Sequence, residues 1–120
     1  MKNFITIGSI FGALAVMIGA FGAHALKGTL STYELGVFTT GNTYHFYHAL
    51  ALVAYGVFQR NVSAPNWPAW FFAAGIIIFS GSLYLLAILQ IPKFGMITPI
   101  GGVAFIIGWI GFALAARKSS

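Results

Sequence analysis

The chain has 120 residues, 59% of them hydrophobic and only 6% charged. Soluble domains carry roughly 25% charged residues, so this composition excludes an ordinary soluble enzyme and reads as an integral membrane protein. The formal charge of +5 comes from six Lys and Arg scattered singly between apolar runs against one acid, which argues for membrane-flanking charges and against a nucleic-acid surface; the lack of cysteine excludes disulfides, thiolate metal sites and cysteine nucleophiles.

Four apolar segments, about 4–26, 41–59, 67–89 and 95–116, each approach the roughly 20 residues that cross a bilayer. Residues 1–120 are therefore expected to form a single four-span domain, an all-α integral membrane four-helix antiparallel transmembrane bundle. The first run, Phe4 to Ala23, ends near an Ala23-His24-Ala25 triplet that resembles a signal-peptidase site. It is longer than the roughly 7–15 residues of a signal h-region, so it reads as a retained span. Within it Gly8, Gly12, Ala15, Gly19 and Gly22 advance by threes and fours, a narrow seam along which a neighbouring backbone can approach closely.

The connector after Lys27-Gly28 has structure of its own. Ser31-Thr32-Tyr33-Glu34 fits a capping box, with Ser31 as N-cap and Glu34 reaching back to its amide. A helix should begin there and run into the second span, with a bend near Gly41. Glu34 is the only acid, and capping needs only local geometry, so that role is preferred to a proton or cation site. The other connectors, Arg60 to Asn66 and Gln90 to Lys93, are short and make the last three helices sequential antiparallel neighbours. In the fourth segment Gly101, Ala104, Gly108, Gly111 and Ala115 repeat the small-residue seam, which can serve packing inside the bundle or a contact between copies. Trp67 and Trp70 suit headgroup depth, whereas Trp109 falls deeper. Lys2, Arg60, Arg117 and Lys118 share one side and Lys27 and Lys93 the other, which places both termini in the cytoplasm.

The functional clue is Tyr44-His45-Phe46-Tyr47-His48, because polar rings at membrane depth are expensive unless paired. On a helix Tyr44, Tyr47 and His48 share a face, with His45 beside it. Counting from the span ends brings His24, His45, His48, Ser82, Tyr84 and Thr98 into the outer half of the bilayer. The expected site is a small polar pocket of His24, Tyr44, His48, Tyr84 and Thr98, with His45 and Ser82 as additional members. Its plainest reading is neutral imidazoles bonded to tyrosine hydroxyls or carbonyls, holding helices in register. The sharper alternative is a haem or divalent metal at His24, His45 and His48, for which the i, i+3 spacing of His45 and His48 is a weak signal without a carboxylate. No cofactor is predicted. Proton-coupled transport would need a mid-membrane acid, which the sequence lacks. Ser80-Gly81-Ser82 is small-residue packing and not a nucleophile elbow, and the glycines after Thr98-Pro99 lack the Lys-Ser or Lys-Thr of a phosphate loop, so no catalytic constellation is present.

Gly19-Ala20-Phe21-Gly22-Ala23-His24-Ala25-Leu26, Tyr47-His48-Ala49-Leu50-Ala51-Leu52, Phe79-Ser80-Gly81-Ser82-Leu83-Tyr84 and Ile97-Thr98-Pro99-Ile100-Gly101-Gly102 resemble, in order and across all four segments, the small four-span bacterial membrane proteins catalogued as domain of unknown function 423. The resemblance implies a multi-pass protein of the bacterial cytoplasmic membrane and brings no activity, substrate or cofactor. His24, His48, Tyr84 and Thr98 fall within its motifs. The reading is a non-enzymatic binding or accessory component whose partners are the bilayer and a second copy or another membrane protein, with no nucleic acid. A small transporter and a His-ligated haem or metal protein stand as the alternatives.

Overall fold

A computed structural model describes residues 3–119; Lys2, counted above for orientation, and Ser120 lie outside the described residues. The described chain is helical, without strands. We number the long helices α1 (Phe4–Leu26), α2 (Thr32–Asn61), α3 (Trp67–Leu89) and α4 (Thr98–Ser119), the last preceded by a 3-10 turn, Pro92–Met96. Both α1 and α3 contain a π-helical stretch, Gly22–Leu26 and Ile76–Ser80.

Local chemistry sets the ends. The Asn3 side chain caps α1 by accepting from Thr6 N at 3.1 Å. Ser31 Oγ accepts from Glu34 N at 3.1 Å while Glu34 Oε1 accepts from Ser31 N at 3.0 Å, closing the expected capping box at the start of α2. From there α2 runs as one continuous helix of 30 residues. Gly41, where a bend was expected, is instead a contact point: a methyl there would stand 3.1 Å from Leu83 Cβ. Gln90 ends α3 in the left-handed conformation, with φ 58°.

Along α1 the small residues meet α2 in reverse order. A Cβ on Gly8 would stand 2.8 Å from Val53 N, one on Gly12 would be 3.9 Å from Ala49 Cβ, and one on Gly19 would be 2.7 Å from Asn42 Oδ1. Gly101, Gly108 and Gly111 of α4 do the same against Phe79, Phe72 and Trp67 of α3. Both pairs are therefore antiparallel, and both seams are used inside the chain. Helix α2 also packs on α3, so consecutive helices are neighbours, but α1 and α4 share no extensive interface. The result is an open arrangement of 49 × 26 × 19 Å and not a closed ring of four helices. Its main core joins Phe4, Leu52, Tyr55, Phe72, Ile76 and Phe105, contributed by all four helices.

Three helical stretches, Phe4–Leu26, Trp67–Leu89 and Pro92–Ser119, are long and apolar enough to cross a membrane. The sequence expectation of four such segments is not met by composition: α2 is long enough but carries Asn42, His45 and His48 where the others carry aliphatic residues.

Candidate functional site

Helix α2 turns His45 and His48 toward different neighbours. His45 faces α1 and α3, where its Nδ1 lies 2.9 Å from the hydroxyl of Tyr84. That hydroxyl also accepts from Asn42 Nδ2 at 3.2 Å, and the same amide donates to the Ala15 carbonyl at 2.8 Å. Asn42 thus ties α1, α2 and α3 together, and Gly19 makes the approach possible by leaving room for its Oδ1. The other imidazole nitrogen of His45, Nε2, is buried without a hydrogen bond of good geometry, and the backbone of Phe11 is the polar group that interacts with the ring. Ser80 Oγ, at the end of the π-helical stretch of α3, is a second buried atom without a partner.

His48 faces α4. The Trp109 indole N–H donates to His48 Nε2 at 3.0 Å. An indole can only donate, so Nε2 accepts, and the proton of the neutral ring sits on Nδ1, which donates to the Tyr44 carbonyl at 2.7 Å. Phe105 stacks on the imidazole with centroids 3.5 Å apart and planes 9° from parallel, and Tyr44 stacks near it at 6.1 Å. Four aromatic side chains therefore hold one imidazole in one tautomer and one orientation, since Phe72 packs against the same ring at 6.0 Å. Beside this group lies an open cleft of about 760 Å³ between α2 and α4, lined by Tyr44, Tyr47, His48, Phe79, Phe105 and Trp109 among others.

The remaining candidates fall elsewhere. Thr98 Oγ1 lies 2.6 Å from Ser82 Oγ, which also donates to the Phe79 carbonyl at 2.9 Å, so the pair bridges α4 to α3 without reaching either histidine. His24 is exposed in the π-helical end of α1. The expected single pocket is thus divided in three: Tyr84 with His45 and Asn42, Tyr44 with His48 and Trp109, and Ser82 with Thr98. Among the described residues no three His, Asp or Glu side chains converge on a point that could hold a metal ion. His24, His45 and His48 point three ways, an arrangement that does not fit a shared metal or a haem clamped between them.

Two residues were missed in the sequence reading. Asn42 is an amide at membrane depth three residues before His45, a signal of the same kind as the histidines themselves. Trp109 sits deeper than the headgroup level its ring prefers, and a buried indole N–H needs an acceptor.

The family model described as Protein of unknown function (DUF423) matches residues 18–102. A UPF0382 membrane protein of Staphylococcus aureus is 50% identical over 119 residues, covering 98% of both chains. The chain belongs to the DUF423 family. Other relatives of this DUF423 protein are UPF0382 membrane protein YwdK of Bacillus subtilis, 48% identical over 121 residues and 98% of both chains, and a UPF0382 membrane protein of Staphylococcus saprophyticus, 46% identical over 119 residues, 98% of this chain and 99% of its own. No solved structure matches the chain. The DUF423 chain is therefore a membrane protein, and the names of its bacterial relatives carry no activity.

Proposed function

We propose that this is a four-span membrane protein, both termini cytoplasmic, that acts as a binding component for a lipid-soluble molecule with a planar ring. The fourth span is α2. Its 30 residues reach about 45 Å at about 1.5 Å per residue, more than the roughly 30 Å of hydrocarbon. Its two neighbours in sequence are apolar enough to span, and connectors of a few residues cannot return the chain across a bilayer. Of the polar side chains that lower its hydropathy, Asn42, His45 and His48 bond to α1, α3 and α4. The four-to-two distribution of basic residues supports the orientation.

The observation that carries the binding role is the cleft wall around His48. A volume of about 760 Å³ lies within the usual range of ligand sites, and its lining is aromatic and aliphatic with few polar groups. The imidazole edge is already committed to Trp109 and Tyr44, so the wall is rigid and offers ring faces. Tyr44 and Tyr47, 40% and 58% exposed, add phenols that suit a ligand with a hydrogen-bond acceptor. Binding of an uncharged naphthalene probe to the solubilised protein, followed by its fluorescence, should saturate. Val103→Trp fills the cleft from an exposed wall position and should abolish saturable binding while leaving the thermal midpoint in place. Linear uptake that Val103→Trp does not change would contradict the reading.

A further inference from the structure

Between α1 and α2, two further cavities meet at Gly19 and Asn42. One, about 330 Å³, is of mixed character: Lys27, Thr39 and Asn42 line it together with Gly22, Leu35 and Phe38. The other, about 510 Å³, is lined mainly by apolar and aromatic groups, Val16, Ala20, Phe46 and Tyr47 among them. Lys27 stands at the end of α1, where the π-helical stretch Gly22–Leu26 gives way to the connector. Glu34, the chain's only acid, accepts at Oε1 from the amide of Ser31 and from Gln90 Nε2, the latter at 3.2 Å.

We propose that this α1–α2 groove binds an anionic phospholipid, with the phosphate on Lys27 and one acyl chain in the apolar cavity. Charge and length both fit. From Lys27 to Val16 is eleven residues of helix, about 16 Å along the axis, close to the depth of one acyl chain in a leaflet of roughly 15 Å. A cation at the membrane boundary attracts anionic headgroups, and here Lys27 lines a mixed chamber that adjoins a more apolar one at Gly19 and Asn42. Gly19 and Asn42 form the wall that the two cavities share, and they meet so closely that a methyl on Gly19 would stand 2.7 Å from Asn42 Oδ1. The site shares Tyr47 with the α2–α4 cleft but no other wall residue, and it stands or falls separately.

The test is thermal unfolding of the full chain in a neutral detergent, titrated with phosphatidylglycerol, phosphatidylcholine or inorganic phosphate. Phosphatidylglycerol should raise the midpoint at lower concentration than phosphatidylcholine, and phosphate alone should not raise it. Lys27→Gln, an exposed change, should weaken the phosphatidylglycerol response about fivefold, to the level of phosphatidylcholine. Ala20→Trp, which blocks the apolar cavity from an exposed position, should remove the response to both lipids. Equal responses to the two lipids, a preference that survives Lys27→Gln, or a response to free phosphate matching that of phosphatidylglycerol would each overturn the proposal, the last in favour of a soluble-anion site.

Discussion

At the scale of single residues, the decisive contact is between Trp109 and His48. In hydrocarbon an imidazole nitrogen without a donor has no water to turn to, and the 3.0 Å bond from Trp109 removes that cost. The stack with Phe105 then fixes the ring plane. Trp109→Phe keeps an aromatic ring but removes the donor and part of the indole packed on Phe72, so it should destabilise the protein by at least about 1 kcal/mol, the usual worth of the hydrogen bond alone in this setting. Thermal unfolding in detergent measures this, and an unchanged midpoint would mean that water reaches Nε2 from the cleft. His45 is the contrasting case. Its Tyr84 bond satisfies one nitrogen, the other has no bond of good geometry, and the same Tyr84 hydroxyl is joined through Asn42 to α1, so the group links α1, α2 and α3.

At the scale of helices, glycine spacing decides how near two backbones can come. Gly8 lies so close to α2 that a methyl would meet Val53 N at 2.8 Å and the Ala49 carbonyl at 2.9 Å, atoms that cannot move without shifting the helix. Gly12, one turn on, has only Ala49 Cβ at 3.9 Å. Gly8→Ala should therefore cost about 1–3 kcal/mol, the typical range for overpacking, whereas Gly12→Ala should be neutral or slightly stabilising through helix propensity. Equal effects in chemical or thermal unfolding would mean that α1 can slide on α2. These seams were legible in the sequence because steps of three and four mark one helix face whatever the helix packs on. The capping box at Ser31 and Glu34 was legible for a similar reason, being local. The direction of each polar side chain was not. His45 and His48 are three positions apart, an angular offset of only about 60°, and among several packed neighbours that offset decides between α1 with α3 and α4. Depth counting brought His24 level with them, but depth carries no information on azimuth, and the structure turns His24 outward.

At the scale of the whole molecule, α2 organises the fold. It is the only long helix too polar to qualify as a span by composition, and it is the one whose polar atoms bond to each of the other three helices. Hydropathy averages a segment over all its faces, so it undervalues a helix whose polar groups are satisfied inside the protein. Membrane class and element order were readable from composition, whereas the open packing, in which α1 and α4 stay apart, depends on tertiary contacts that no window along the chain records. Because the chain has no cysteine, single introduced thiols report topology directly. Thr29→Cys lies between α1 and α2, and Ser63→Cys lies between α2 and α3. Labelling intact cells with a membrane-impermeant maleimide should modify Thr29→Cys and spare Ser63→Cys until the cells are lysed, because in the proposed topology α2 separates the two positions by a full bilayer. Labelling of both positions alike would place α2 on one side of the membrane and contradict the account at its centre.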